Sequence, residues 1–426
     1  MSAKRTVISW SLYDWANSVF AVTVISGFFP ILFKQYWCVG ISATESTARL
    51  GFANGIAGFC VAFASPFLGA LANAGSMRKK LLAFFIGIGA VATALLAVTG
   101  AAMWERAAVL YIVASGGFFC GNLFYDSLLV SVAEPKKRDF VSSLGLSLGY
   151  IGGGLFFAAA VALTMNPQWL GLTKTSAAQV ANGAVAVWWV VFSLPLFFFV
   201  KEPDEHILPT IPVLLSDTIR RLKTTFGKIK KSKSLLLFLL AYWLYIDGVG
   251  TFISMAVDFG LSMGFATPVM ITALLMVQFV AFPAVLVFGR VSEKIGTHRA
   301  IMAGIVMYLL VTVIGTAILK TPLHFYILAG CIGLAQGCLQ ALSRSYFANS
   351  IPEHEATEYF GFYNLVGKSA VVAGPFLVGT TAFVLGHAGV AQQTASRISM
   401  GTLALLFIAG GTLFMFSLKA RKDESR

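Results

Sequence analysis

Two stretches of the sequence resemble each other although they lie far apart in the chain. Gly69 to Lys79 reads G-A-L-A-N-A-G-S-M-R-K, and Gly289 to Arg299 reads G-R-V-S-E-K-I-G-T-H-R. Each begins with glycine, has a polar residue at its fifth position and ends in basic residues, and each separates long apolar blocks. A motif repeated in such a setting indicates two halves of similar construction. Its candidate conformational residues are Gly69, Asn73, Arg78, Gly289, Glu293 and Arg299.

The apolar blocks on both sides of these stretches predict membrane helices. Of 426 residues, 58% are hydrophobic and 12% charged, against roughly a quarter charged in soluble domains. A helix of about twenty apolar residues crosses the roughly 30 Å hydrocarbon layer. We therefore predict an all-α membrane protein with twelve transmembrane helices in two pseudo-symmetric six-helix bundles. The predicted helices cover 7–36, 47–74, 81–103, 107–133, 140–165, 179–200, 234–262, 267–289, 300–319, 325–348, 359–386 and 396–418.

The basic residues predict the orientation of these helices. Lys and Arg number 23 on the side of the termini and six on the opposite side, so both termini are expected in the cytoplasm. We therefore interpret the net charge of +13 as a signal of membrane topology and not of a nucleic-acid interface. Lys4 and Arg5 precede a first apolar run that carries Asp14 and is too long for a signal peptide, which predicts a retained helix.

Three domains follow: an N-terminal bundle at 1–200, a cytoplasmic linker at 201–233 and a C-terminal bundle at 234–426. The linker begins with prolines and then places apolar residues at helical spacing among basic ones, which predicts an amphipathic helix on the cytoplasmic leaflet. A flexible linker with chance periodicity is the alternative. The apolar stripe consists of Leu215, Ile219, Leu222, Phe226 and Ile229.

The repeated stretches resemble the loop signature G-x-L-A-D-R-x-G-R-K/R-R of the major facilitator superfamily. Asn73 replaces the usual acid in the first copy, and Gly75 is displaced by one position; the second copy keeps an acid, Glu293. Glycines allow two helix ends to approach closely, and charged side chains there can hold one conformational state. A generic basic loop is the alternative interpretation.

Other segments resemble the vacuole-effluxer branch of that superfamily, named for autophagy-related proteins that export amino acids. They are Tyr13 to Ser18 (Y-D-W-A-N-S), Tyr245 to Thr251, Gly149 to Gly154, and the run from Gln340 through Ser343-Arg344-Ser345 to Gly374-Pro375. Asp126-Ser127 departs from the Asn-Ala expected in that branch. The resemblance implies a major facilitator fold and a secondary transporter, with amino acids as candidate substrates.

Charged residues within predicted helices are the candidate functional residues, because an isolated charge in a membrane costs at least about 2.5–3.5 kcal/mol. Asp14 and Asp247 lie in the equivalent first and seventh helices. With Asn17 and Lys368 they form the candidate set for substrate binding or proton coupling. Alternatively, the two acids only form hydrogen bonds that hold helices together. For Lys368 the alternative is a structural or snorkelling role.

Asp126 and Arg344 lie at similar depths near the cytoplasmic ends of the fourth and tenth helices. We expect them to act as a gate or ion pair at the inner mouth, with separate local pairing as the alternative.

Other functional classes find little support in the sequence. No histidine falls in the middle of a predicted helix, no phosphate-binding G-x-x-x-x-G-K-[ST] is present, and no set of nucleophile, base and metal ligands suggests an enzyme. We therefore expect a monomeric, alternating-access transporter of a small polar solute in a bacterial inner membrane, coupled to protons, without cofactor or metal. The alternatives are a transporter-shaped receptor or scaffold, and a transporter of peptides, nucleotides or lipids.

Overall fold

The computed structural model describes residues 3–41, 43–74, 77–202, 211–370 and 373–424. Its helices include twelve that are long and apolar enough to cross a membrane, which confirms the predicted fold class. We call them spans 1 to 12: Lys4–Trp37, Arg49–Asn73, Arg78–Ala97, Trp104–Val132, Pro135–Met165, Lys174–Phe199, Lys233–Ala256, Pro268–Ile295, Thr297–Ile318, Pro322–Ala348, Glu353–Leu385 and Gln392–Glu424.

The chain divides into two compact units. Unit 1 comprises Met1–Pro135, Leu148–Leu222 and Pro352–Phe362, and unit 2 comprises Lys136–Ser147, Lys223–Ile351 and Tyr363–Arg426. Each unit therefore contains the first residues of a span whose remainder belongs to the other unit. We call these the exchanged segments: Lys136–Ser147 from span 5 and Pro352–Phe362 from span 11.

The helices of both units pack in the same pattern. In unit 1, span 1 packs on span 6, span 3 on spans 4 and 6, and span 2 on span 4. In unit 2, span 7 packs on span 12, span 9 on spans 10 and 12, and span 8 on span 10. Each pair in unit 2 is the pair in unit 1 moved forward by six spans, which is the pseudo-symmetry expected from the repeated stretches.

Spans 1 and 11 depart from a continuous α-helix, as do spans 4 and 12, which are divided at Leu128 and Thr402. Span 1 is α-helical over Ala3–Val19, but its turns widen into π-helix over Phe20–Phe28 and Phe33–Trp37. Span 11 consists of two helices, Ala356–Ser369 and Ala373–His387. Neither feature follows from hydropathy, because both segments are apolar.

The second repeated stretch is helical where a loop was predicted. Span 8 continues to Ile295 instead of ending at 289, because Arg290 to Lys294 favour helix and nothing interrupts it before Gly296. Gly296 ends the helix with φ +94°, a conformation that favours glycine. The basic and acidic residues of this copy therefore project from a helix end.

The linker contains the predicted helix, at Ile211–Lys231, whereas Pro203 and Pro209 lie outside the described residues. However, the residues of the predicted apolar stripe differ in exposure. Ile229 is buried, whereas Ile219 and Phe226 are 49% and 57% exposed. Thr218 and Thr225 join Ile229 on the buried face of this helix.

Candidate functional site

The polar residues of span 1 are bonded to span 4 within unit 1. Asp14 is 6% exposed and accepts a hydrogen bond from the Tyr125 hydroxyl at 2.7 Å. Asn17 donates from Nδ2 to Oδ1 of Asn122 at 2.6 Å. A hydrogen bond to a carboxylate shields a charge that would otherwise be costly in a membrane interior. The structure thus brings Asp14 and Asn17 into one polar cluster.

Their span 4 partners were not predicted from the sequence. Asn122 and Tyr125 stand three residues apart, directly before Asp126, so they share one side of the helix. That spacing was the available signal, but both side chains are neutral and so do not stand out in an apolar helix. Tyr125 is held in place by rings, since it stacks on Trp10 with centroids 4.4 Å apart.

Small residues of span 5 bring it against span 1 next to this cluster. A Cβ built on Gly149 would lie 2.5 Å from Oγ of Ser18, and one on Gly152 would lie 2.8 Å from the Trp15 ring. Only glycine permits this approach, so the glycine run from Gly149 to Gly154 has a packing role beside Asp14.

Asp247 accepts a hydrogen bond from the start of the second helix of span 11, within unit 2. Its carboxylate is 1% exposed and accepts hydrogen bonds from the Gly374 backbone N–H at 2.9 Å and from the Thr251 hydroxyl at 3.1 Å. Gly374 lies in the first turn of the helix Ala373–His387. A carboxylate at this position satisfies an N–H that has no partner inside the helix and interacts favourably with the helix dipole.

Lys368 lies on the other side of the same interruption. It is half-buried in the last turn of Ala356–Ser369, where a cation complements the helix dipole. Residues 371–372 lie outside the described residues. Span 11 therefore places a lysine at the end of one half-helix and an acid-capped N-terminus at the start of the next.

Asp126 and Arg344 belong to different units, and the expected ion pair between them stays a prediction. Inside unit 2, Arg344 donates from Nε to Oγ of Ser142 at 2.8 Å and from Nη2 to the Ser142 carbonyl at 2.7 Å. Ser142 in turn donates to the carbonyl of Ala341 at 2.7 Å. Arg344 thus binds an exchanged segment.

The first repeated stretch contacts the other exchanged segment inside unit 1. A Cβ on Gly69 would overlap the carbonyl oxygen of Thr357. Asn73 donates from Nδ2 to Oε1 of Glu358 at 2.7 Å, and its Oδ1 accepts from Nη2 of Arg78 at 3.0 Å. All three candidate residues of this copy, Gly69, Asn73 and Arg78, therefore lie at one contact.

The second repeated stretch makes different contacts within unit 2. A Cβ on Gly289 would lie 2.5 Å from Ser143, but Glu293 and Arg299 are exposed. The buried acid here is Asp139, which accepts from the hydroxyls of Ser345 at 2.5 Å and Thr297 at 2.6 Å.

The sequence analysis did not identify Asp139 or Glu358, although each follows shortly after a proline at or just before the start of its span, Pro135 and Pro352. Both were placed in the loops between predicted helices, where an acid needs no partner.

Comparison with known proteins agrees with this architecture. The family model described as "Vacuole effluxer Atg22 like" matches residues 36–424. An uncharacterized MFS-type transporter of Bacillus subtilis, YxiO, is 36% identical over 96% of this chain and 94% of its own length. Autophagy-related protein 22 of Eremothecium gossypii is 24% identical over 89% of this chain and 85% of its own.

Solved structures agree in fold. The major facilitator superfamily transporter FucP, in the outward conformation, aligns with a TM-score of 0.68 at 12% identity, covering 97% of this chain and 99% of that one. The twelve spans, the repeated packing of the units and the family match over most of the chain lead to one conclusion: this chain belongs to the Atg22-like vacuole effluxer family of major facilitator superfamily transporters.

Proposed function

We propose that this secondary transporter moves a small polar solute, with amino acids as the first candidates, and couples that movement to protons. The observation that carries the proposal is a pair of buried carboxylates, Asp14 and Asp247, in the equivalent spans 1 and 7. Each is held by donors of its own unit. Buried carboxylates in a membrane can take up a proton or bind a substrate amine when they lose their present partners.

The proposed roles follow from the chemistry of each side chain. Asp14 and Asp247 bind the coupling proton or a substrate ammonium group. Asn17 can offer both a donor and an acceptor once it leaves Asn122, and Lys368 binds a substrate carboxylate. An amino acid carries both charged groups, which is why this set of residues favours it over a sugar. The family description, vacuole effluxer, supports movement of a solute across a membrane.

Uptake into proteoliposomes tests this proposal. Purified protein in liposomes should accumulate labelled amino acids when a pH gradient is imposed, and accumulation should fall to the level of empty liposomes when a protonophore dissipates it. Accumulation that a protonophore leaves unchanged contradicts proton coupling. Uptake of a peptide or nucleotide but of no amino acid contradicts the substrate class, and binding without any uptake favours a receptor.

We further propose that the protein is a monomer in a bacterial inner membrane with both termini and the linker in the cytoplasm. The excess of basic residues on that side supports the cytoplasmic placement of the termini and the linker. A reporter that is active only in the cytoplasm should be active when fused after Arg426 or inserted at Pro209, and inactive when inserted at Lys320. Activity in the reverse pattern would contradict the proposed orientation.

A further inference from the structure

A polar cavity of about 290 Å³ lies at the end of unit 2 that carries the C-terminal residues. Its walls come from the start of span 7 and the ends of spans 10 and 12. Ser234 in this wall and Asp247 belong to one helix, along which they are separated by roughly 20 Å. The cavity is therefore separate from the candidate site. We call it the Arg421 cavity, and its lining includes Ser232, Ser234, Tyr346, Ser350, Arg421 and Glu424.

Tyr346 brings a hydroxyl without a hydrogen-bond partner to this cavity. The residue is 6% exposed, and its hydroxyl makes no hydrogen bond within the part of the chain that the structure describes. Its ring packs on Phe238 and Phe414, whose ring centroids lie 4.9 and 5.6 Å away. Polar groups on enclosed side chains almost always have a partner. Because these contacts fix the ring, the partner of the hydroxyl has to occupy the cavity.

Arg421 brings a guanidinium to the same cavity. Its Cζ lies 5.3 Å from the centroid of the Tyr346 ring, and its Nη1 donates to Oγ of Ser350 at 3.3 Å. Among the described residues, Arg421 forms no ion pair with a carboxylate. A guanidinium has five N–H donors in a planar fork, which suits an anion with several oxygens. Most of these donors are therefore available to a ligand.

Glu424 shows that an oxyanion fits in this cavity, but it does not neutralise Arg421. Its carboxylate accepts from the Ser234 N–H at 3.0 Å, from the Ser234 hydroxyl at 2.5 Å and from the Ser232 hydroxyl at 3.4 Å. An N–H in the first turn of a helix has no partner inside that helix, which explains why Ser234 binds the acid. Glu424 is therefore directed at span 7, although it shares the end of span 12 with Arg421.

Further positive charge lies beside the Arg421 cavity. Arg421, Lys422 and Arg299 are all close enough to His298, at the start of span 9, to act on it electrostatically. Like charges gathered at one place raise the local concentration of anions. An anion that also accepts hydrogen bonds would pair with Arg421 and satisfy Tyr346 together.

We propose that the Arg421 cavity binds a phosphate group, either of a lipid headgroup or of a free phosphorylated solute. Two phosphate oxygens accept from the guanidinium of Arg421, and another accepts from the hydroxyls of Tyr346 and Ser350. A carboxylate has only two oxygens and is already supplied by Glu424, so the remaining donors favour phosphate. The volume of about 290 Å³ is near the lower limit for small-molecule sites, which suits a headgroup or a small ion.

Thermal stability of the full chain in maltoside micelles tests the proposal, because this detergent contains no phosphate. One arm adds inorganic phosphate, with sodium chloride of equal ionic strength as its control. The other adds short-chain phosphatidylglycerol, with short-chain diacylglycerol as its control. A ligand that binds only the folded protein raises the melting temperature, and we expect a rise over the control in at least one arm.

The two arms also identify the source of the phosphate. A rise with the lipid alone identifies a headgroup, a rise with inorganic phosphate alone identifies a free solute, and a rise in both shows that the phosphate itself is the recognised group. No rise in either arm overturns the proposal. Because no transported substrate is needed, these outcomes are independent of whether amino acids are transported.

Two substitutions in the cavity separate binding from folding. Arg421→Gln should weaken the affinity for the stabilising probe at least about tenfold, because a charged pair of hydrogen bonds is lost. Tyr346→Phe removes only the hydroxyl and keeps the ring between Phe238 and Phe414. It should weaken the affinity about three- to tenfold while the melting temperature without probe stays unchanged. Wild-type affinity in Tyr346→Phe would contradict the proposed contact.

Lys419 provides the matched control for Arg421. It is exposed and carries the same charge on the same helix, but it does not line the cavity. Lys419→Gln should therefore keep the affinity within about twofold of the wild-type value, since it removes no hydrogen bond to the ligand. Glu424→Gln removes a negative charge from the lining and should tighten binding. Equal weakening in Lys419→Gln and Arg421→Gln would indicate general attraction by surface charge and overturn the proposal, as would weaker binding in Glu424→Gln.

Discussion

Substituting Asp247 by Asn should abolish proton-driven uptake while the protein still folds. The two bonds reach different carboxylate oxygens: the Asn oxygen can accept from the Gly374 N–H, and the Thr251 hydroxyl can accept from the Asn amide instead of donating. The interruption of span 11 therefore survives, and only the charge is lost. Uptake driven by a pH gradient in proteoliposomes should fall to the level of empty liposomes, with an unchanged melting temperature.

Two further measurements separate the possible roles of Asp247. If the carboxylate carries the coupling proton, the variant should still exchange substrate for substrate without a gradient. If it binds the substrate amine, substrate binding itself should fail. Thr251→Val is the matched control, since it removes one hydrogen bond to the same carboxylate and leaves the charge; it should retain driven uptake. Wild-type binding together with wild-type driven uptake in Asp247→Asn would show that the acid serves packing alone.

Placing a side chain on Gly69 or Gly289 should slow transport at least about tenfold. A Cβ on Gly69 would overlap the backbone oxygen of Thr357, and one on Gly289 would lie 2.5 Å from Ser143. A backbone oxygen cannot rotate away, so valine at Gly69 should prevent the exchanged segment from seating in unit 1, with the cost of a forced overlap at about 1–3 kcal/mol or more. Initial rates of uptake, normalised to protein in the membrane, provide the measurement.

Gly58 supplies the control for these variants. It lies in the same span as Gly69, but a Cβ there would have nothing within 4 Å. Gly58→Val should therefore transport at the wild-type rate and insert equally well. Unchanged turnover in both Gly69→Val and Gly289→Val would mean that the repeated stretches determine topology and nothing else.

The spans could be predicted from the sequence because length and hydropathy decide whether a helix crosses a bilayer. Span boundaries erred where helix-favouring polar residues extend a span, as at Arg290 to Lys294. The hydrogen bond from Gly374 to Asp247 could not be predicted, because the two residues are distant in sequence; the helix start beside it has a local signal in Pro375, which disfavours helix in the residues before it. The exposed Ile219 and Phe226 show the same limitation in the linker, where spacing alone did not indicate which side of the stripe meets the protein.

For the candidate site, charge in an apolar helix was a sufficient signal for Asp14 and Asp247, both of which are buried and hydrogen-bonded. It was not a sufficient signal for Asn122 and Tyr125, which are neutral. Asp139 and Glu358 were missed for another reason: each lies near a span end, where burial depends on which unit the segment joins. That information resides in contacts between distant parts of the chain and not in local pattern.

The exchanged segments also affect how the protein is made. Ser142 bonds to Ala341, 199 residues later in the chain. At about 5–20 residues per second of synthesis, the ribosome needs roughly 10–40 s to supply that partner. For all of this interval the start of span 5, with Arg138 and Asp139, has been translated but lacks its final neighbours. Because Arg138 and Asp139 lie at the end of the span, water can solvate both charges during this interval. The nascent first half can therefore remain in the bilayer without burying either charge in lipid.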